Sequence, residues 1–555
     1  MKLCSVAAWP RLSTMTAACA LALAATSASA VQFQTSNPDI AVSWDNTIKY
    51  SAGWRIEKPD AAVANNSIGV QANTDDGDLN FGRGLISNRV DLLSEFDLRY
   101  KRQFGVRLTG AAWYDDVYNQ DNDNPAALGG ALVNSRSVGP NQFTKATEKL
   151  HGKKAELLDA FLWGNFTVGE AGVNVKAGQF TQLYGESLFF GSNGIAAAQT
   201  TLDLVKALSV PNSQFKEIMR PVTQIAAQVQ LSTTVSFGAY YQLEWEKTRI
   251  PGAGSYFSFA DFVDAGGESV ILGPDQIVFR GKDFDASDSG QGGAQLRIKN
   301  GDWEYGFYAA RFHDKMPQFY LRPGVNVQEG SIGDYMQVFG EDITTFGASV
   351  STLIGDTNVA AEISVRDDMP LVASGNAVIL PGNTTADGGD NAAFPVGRTV
   401  HLNISALSVL NESPFWDGAT LLAEAAFNRR TSIHRNADQL DPDANRDAGA
   451  VQFLFTPEYF QVLPGVDLQM PIGVSYGLFG RSSVNGALFP SHHGGTMSIG
   501  LKADFKRTWQ AGISLNHYYG KAGSVVKYDT DVPELSFANF HGDRDFIALS
   551  IQRTF

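Results

Sequence analysis

Acidic residues gather early in the chain, in Asn73-Thr74-Asp75-Asp76-Gly77-Asp78. Alternating carboxylate and amide oxygens are the chemistry of calcium loops, but the EF-hand spacing is missing and no Glu closes the run at position twelve. The stretch reads as a solvated loop with, at most, a weak calcium site on the surface. Hydrolytic chemistry has less support. The eight histidines, His151, His313, His401, His434, His492, His493, His517 and His541, show no zinc spacing. No G-x-S-x-G nucleophile elbow occurs. Both cysteines, Cys4 and Cys19, lie near the start of the chain, so thiol catalysis is excluded for the remainder. The expectation is a protein that is not an enzyme and that holds no cofactor.

The more telling residues are charges that recur at every second position. Arg89, Asp91, Glu95, Asp97 and Arg99 alternate with Val90, Leu92, Phe96, Leu98 and Tyr100. Arg107, Glu362, Arg366 and Glu424 sit in alternating stretches of the same kind. A strand sends successive side chains to opposite faces, so all nine belong to one face, and buried charges must pair or meet water. Two readings are open: ion pairs that brace a wall, or a ladder of charges that selects solutes in a pore.

The elements that carry these residues are strands. Val42, Trp44, Ile48, Tyr50, Ala52, Trp54 and Ile56 alternate with polar residues, and a Trp stands near each end. Trp and Tyr concentrate at the two membrane interfaces. The same pattern runs through Val235–Trp245, Met497–Phe505 and Trp509–Leu515, and the chain ends on it with Ile547, Leu549, Ile551 and Phe555. A last strand that stops on Phe resembles the C-terminal signal read by outer-membrane assembly machinery. Tight turns are expected at 101–103, 169–170, 232–234, 300–301 (type I′), 355–356, 463–465 and 506–508, with a longer connection at 411–417. Long polar loops fall between them, at about 57–84, 116–155, 181–221, 247–291, 313–341, 367–400, 430–447, 479–494 and 521–542. Short turns at one end and long loops at the other predict an all-β fold: a transmembrane antiparallel outer-membrane β-barrel of about 18 strands, within a range of 16–18. No later stretch is apolar enough for a membrane helix, and lipid offers no partner to an open sheet edge.

Residues 1–30 have the form of a signal peptide: Lys2 and Arg11, an apolar run from Leu12 to Ala25, then Ala28-Ser29-Ala30. Residues 31–555 would then be the barrel. The formal net charge of the 555-residue chain is −15, and the two leader cations make the rest more acidic still, which excludes nucleic acid as a partner. Export of such a chain places it in the outer membrane of a Gram-negative bacterium, with outer-membrane lipids as its surroundings.

One connection, 181–221, is too apolar to lie in water. Leu183, Tyr184, Phe189 and Phe190 open it, with Glu186 among them, and Lys216, Glu217 and Arg220 close it. It should fold inward as a constriction or partial plug, with Thr201 capping a helix at 202–208, Ser213 capping a second, and Lys216, Glu217 and Arg220 pairing with inward charges of the wall. The runs AGQFTQLYGESLFFGSNGI (177–195) and DLVKALSVPNSQFKEIMRP (203–221) resemble the proteobacterial family called domain of unknown function 1302. So do DDGDLNF (75–81), SNRVDL (87–92) and EISVRDDMPL (362–371). The resemblance implies an outer-membrane protein of hydrophobe or lipid handling, whose partners would be a periplasmic lipoprotein-sorting-like protein and an RND-type transporter. It supplies no catalytic residue. Together these readings lead to an outer-membrane channel or binding barrel for a small hydrophobic or amphipathic molecule, or alternatively the barrel component of a lipid export system.

Overall fold

A computed structural model describes residues 31–555, apart from 34, 65–71, 129–132, 200, 212–214, 274, 383, 485, 487–488, 528–529 and 531; of Val31, Gln32, Phe215 and Lys216 it describes the backbone alone. The leader expected at 1–30 and Ser213 lie outside the described residues.

The main sheet has 20 segments, of which two are halves of one strand and one is the short Val31–Phe33, so the wall has 18 strands. In chain order these are β1 (Ile40–Arg55), β2 (Gly84–Tyr100), β3 (Phe104–Asp115), β4 (Lys153–Val168), β5 (Ala171–Phe180) and β6 (Val222–Gln230). There follow β7 (Val235–Gln242), β8 (Gly292–Asn300), β9 (Trp303–Phe312), β10 (Ile343–Ile354), β11 (Thr357–Pro370) and β12 (Val396–Leu410). The last six are β13 (Gly418–Arg435), β14 (Asp447–Leu463), β15 (Val466–Gln469 with Ile472–Phe479), β16 (Gly495–Phe505), β17 (Trp509–Tyr519) and β18 (Phe546–Thr554). β15 is interrupted at Pro471, which has no N–H for the ladder. Each strand pairs antiparallel with the next, and β18 returns to β1 from Thr47↔Thr554 to Arg55↔Phe546. Closure removes both edges, the requirement for a sheet in lipid. Phe555 completes the seam by exchanging main-chain hydrogen bonds with Asn46 at 2.8 and 2.9 Å.

The alternation assigns the faces as expected. Phe237, Phe307, Ile363, Ile499 and Ile513 stand exposed on the wall, while inward neighbours such as Lys49, Arg89, Glu362 and His401 are buried. The outside is therefore an apolar band suited to lipid. A single cysteine at Ile499 or Ile513 is expected to resist a water-soluble thiol reagent in vesicles, and one at Lys502 or Gln510 to react. The opposite pattern would mean that the register is shifted by one residue.

The turn chemistry differs from expectation at one hairpin. Asn300 pairs with Trp303, so the two-residue turn is Gly301-Asp302, and φ is positive at Gly301 (61°) and not at Asp302. Type I′, which needs positive φ at both positions, is excluded. Trp245, expected on the lipid face, lies beyond the end of β7 and is buried against Phe339 at 4.6 Å between ring centroids.

The long loops are not loose. Ser269–Gly273, Gln276–Arg280, Gln318–Gln328, Ser331–Val338 and Ala377–Ile379 form a five-stranded sheet over the long-loop end. Tyr320, Val338 and Phe394 form one apolar core there, and Val263, Phe319 and Tyr335 another. This roof has no counterpart in the sequence reading, which took the same segments as polar connections. The stretch 73–78 also departs from it: Asp75, Asp76 and Asp78 are buried under the roof rather than solvated.

Candidate functional site

Described residues of 181–221 meet inward side chains of the wall. The inward residues of β11, β12 and β13 hold their first half. Glu362 accepts the main-chain N–H groups of Glu186 (2.6 Å) and Ile195 (3.0 Å). Glu424 accepts those of Leu188, Phe189 and Phe190 at 3.1, 2.5 and 2.9 Å. Arg366 donates to the carbonyls of Ser192, Asn193 and Gly194 at 2.8–3.0 Å. Register explains the convergence: Glu362 faces Asn403 across β11–β12, and Ser405 faces Glu424 across β12–β13. The inward row of β12 fills the middle. Asn403 donates to Glu424 (2.7 Å), Ser405 to the carbonyl of Glu186 (3.0 Å), and His401 Nδ1 meets Asn193 Oδ1 (3.0 Å). Carboxylates that accept several main-chain N–H groups are charge-assisted anchors, so these residues clamp the segment and do not form a free ladder.

The second half is tied to the opposite wall. The helix there runs from Leu204 to Ser209, and Asp203 caps it by accepting from Lys206 N at 2.9 Å. The expected cap, Thr201, instead pairs with Arg220 in a two-residue ladder. Asp203 is the better cap because its Oδ2 is also held by Arg249 (2.5 Å), which grips Glu156 of β4 at 3.0 and 2.5 Å. Glu217 pairs with Lys49 of β1 at 3.6 Å, as expected of a wall partner. Arg220 does not reach the wall; its partner is Glu246 in the next loop, at 2.8 Å. The side chain of Lys216 lies outside the described residues. Tyr184 is buried against Tyr240, and Phe190 against Phe489. Leu183 and Leu188, in contrast, remain more than a third exposed. Glu186 Oε1 reaches Arg297 of β8 at 2.8 Å.

The remaining inward charges belong to two other places. Arg89 and Asp91 pair with each other at 2.7 Å, and the Arg89 guanidinium lies over Trp113. Arg107 holds Glu95 (2.7 Å) and Asp97 (3.3 Å), all part-exposed, and Arg99 is looser, 4.0 Å from Asp97. Asp97, Arg99 and Arg107 border a vestibule of about 1020 Å³ at the short-turn end, with Lys101, Arg102 and Lys176 on its rim. The inward charges thus divide by depth: a clamp around 181–221, and a charged mouth below it.

Above the clamp lies a chamber of about 330 Å³. Phe189, Phe190, Leu204 and Leu208 form its floor, and Phe257, Phe537 and Phe540 from the roof loops cover it. Its one charged lining residue among those described is Arg481, paired with Asp443 at 2.7 Å. His541 also lines it, and burial beside Arg544 pushes that imidazole down to about 3, so it is neutral. A smaller cavity of about 140 Å³ adjoins and shares Phe259 and Met316.

Comparison with protein families matches residues 11–555 to the family described as a protein of unknown function, DUF1302. The chain belongs to that family. Among curated proteins nothing matches the sequence. Solved structures similar to this DUF1302 barrel include OccAB2 of Acinetobacter baumannii, at 8% identity and a TM-score of 0.41, with 93% of this chain and 98% of that chain covered. The outer membrane channel DcaP of the same organism shows 12% identity, a TM-score of 0.37, and coverage of 95% and 100%. OccK2 of Pseudomonas aeruginosa, solved with glucuronate, shows 9% identity, a TM-score of 0.38, and coverage of 93% and 98%. These likenesses are distant, and the architecture of the DUF1302 barrel rests on its own strand pairing.

The clamp residues that sequence reasoning missed, Asn193, Arg297, His401, Asn403 and Ser405, carried one usable signal. His401, Asn403 and Ser405 fall on every second position, alternating with Leu402 and Ile404. Arg297 carries the same signal between Leu296 and Ile298, whereas Asn193 is marked only by lying in the run 177–195.

Proposed function

We propose that this barrel is an outer-membrane channel that takes a small hydrophobic or amphipathic molecule into the chamber above 181–221 and exchanges it with the vestibule at the short-turn end. The chamber carries the reading. A cavity of about 330 Å³ walled by aromatic and aliphatic side chains has the size and character of a small-molecule site. Gln452, Ser475, Thr496 and Asn539 add a few polar groups to a mostly apolar lining, so a fully polar solute would regain only part of its lost hydration there. Arg481 on the lining would meet a polar or anionic end, which favours an amphipathic molecule over a plain hydrocarbon.

The test uses the folded barrel in amphipol and an apolar fluorophore, 1-N-phenylnaphthylamine. Wild type is expected to bind it saturably. Phe190→Asp is expected to weaken binding at least tenfold, equivalent to ~1.4 kcal/mol, with the heat-modifiable gel shift of a folded barrel retained. Equal binding by both proteins would remove the chamber from the account. A closed wild-type barrel that carries lipid and copurifies with a periplasmic protein would favour the export component instead.

A further inference from the structure

The Asp75-Asp76 pair is unused by the clamp and the chamber. It meets Asp261 from the loop after β7, and carboxylate oxygens of the three residues all lie within 4.8 Å of one another. All three side chains are buried. Calcium takes oxygen ligands at about 2.4 Å, so two oxygens on opposite sides of one ion stand about 4.8 Å apart. Oxygens within that limit can share a single coordination sphere.

A second observation points to a ligand. Asp261 is 2% exposed and its Oδ1 has no hydrogen-bond partner. Asp261 and Asp76 both line a cavity of about 20 Å³, large enough for one ion or one water. Asn134, from the loop after β3, stands beside them. Its side chain donates to Asn73 Oδ1 and the carbonyl of Ser269 at 2.7 and 2.8 Å, and its own Oδ1 has no partner.

Arg544 is the cation that acts on Asp261, and its guanidinium is already engaged by Asp78 at 2.9 Å and by the carbonyls of Tyr256 and Ser258.

We propose that Asp75, Asp76 and Asp261 bind one divalent calcium ion that ties the loop after β1 to the loop after β7 beneath the roof. Asn134 Oδ1 is the neutral oxygen at hand to join them from a third loop. Calcium suits the site better than magnesium, which keeps several waters and demands a near-octahedral shell, for which a cavity of this size has no room. The proposal is independent of the transported molecule.

The experiment is calorimetric titration of calcium chloride into the chelator-treated, folded barrel in a non-ionic detergent. Wild type is expected to take up one calcium per chain. Asp261→Asn, isosteric with the native side chain, is expected to lose that binding, whereas the exposed-loop variant Asp438→Asn keeps it. Absence of saturable uptake by wild type overturns the proposal, as does equal uptake by a folded Asp261→Asn protein. The wild-type stoichiometry decides the matter even where the variant does not fold.

Discussion

Replacing Arg544 by Met is expected to cost the folded barrel about 3–5 kcal/mol, the range for breaking a buried ion pair. Arg544 is fully buried. Its Nη2 and Nε donate to Asp78 at 2.9 and 3.2 Å, and its Nη1 to the carbonyls of Tyr256 and Ser258, both at 2.5 Å. Arg55 grips the same Asp78 at 2.8 Å and Asp543 at 3.1 Å. Two guanidinium groups and two carboxylates therefore join the first loop of the chain to the last, where β18 closes on β1. Burial and the Asp78 charge raise the Asp543 carboxyl to about 6. By itself that group favours the folded state at low pH and loses its contribution as pH rises through about 6. Removing Arg544 leaves Asp78 with Arg55 alone and strands two carbonyls. Unfolding of detergent-solubilised barrel in urea, followed by the heat-modifiable gel shift, measures the loss. Arg398→Met serves as the comparison, since Arg398 pairs with Asp367 at 2.7 Å at an exposed, solvent-screened site and should cost far less. Losses of equal size in the two variants would show that the buried cluster does not anchor the seam.

Replacing residues 186–218 by a short Gly/Ser linker is expected to leave a folded barrel with a several-fold higher single-channel conductance. No wall strand is removed, because β5 ends at Phe180 and β6 begins at Val222. What is removed is the chamber floor, together with the partners of Glu362, Arg366 and Glu424. Those charges would then face water in a widened lumen, where their solvation replaces the lost main-chain hydrogen bonds. A lighter variant, Glu424→Ala, leaves the segment present but takes away one carboxylate that accepts three N–H groups. It should speed proteolysis within 186–218 and raise conductance in the same direction by less. Unchanged conductance in the folded linker variant would assign the narrowest point to the roof sheet. Loss of folding would assign the segment to the structural core.

The relation between these two experiments and the sequence is uneven. The strand count, the faces and the ends of the barrel were legible because lipid enforces a rigid rule: period-two side chains and a closed hydrogen-bond circuit leave little freedom. Ile499 against Lys502 could be assigned by counting alone. The packing of Phe190, with Phe189 beside it, follows a related rule, since each needs burial worth roughly 1.5–3 kcal/mol.

What those inward residues meet was not legible. Glu362 and Glu424 find main-chain N–H groups, and every residue but proline carries one, so the partner leaves no trace in residue type. Asp203 displaced Thr201 as the helix cap because Arg249, 46 residues onward, holds it in place. The roof sheet assembled from three separate loops read as polar, since short strands buried on both sides by distant segments need not alternate. The expectation that Asp75 and Asp76 are solvated fails for the same reason: Asp261, 185 residues away from Asp76, packs against them. The sequence by itself determined the wall, because each strand answers to the membrane beside it. Only the tertiary structure decided the clamp, the chamber and the acidic pocket, because each depends on which distant segments the closed barrel brings within hydrogen-bond reach.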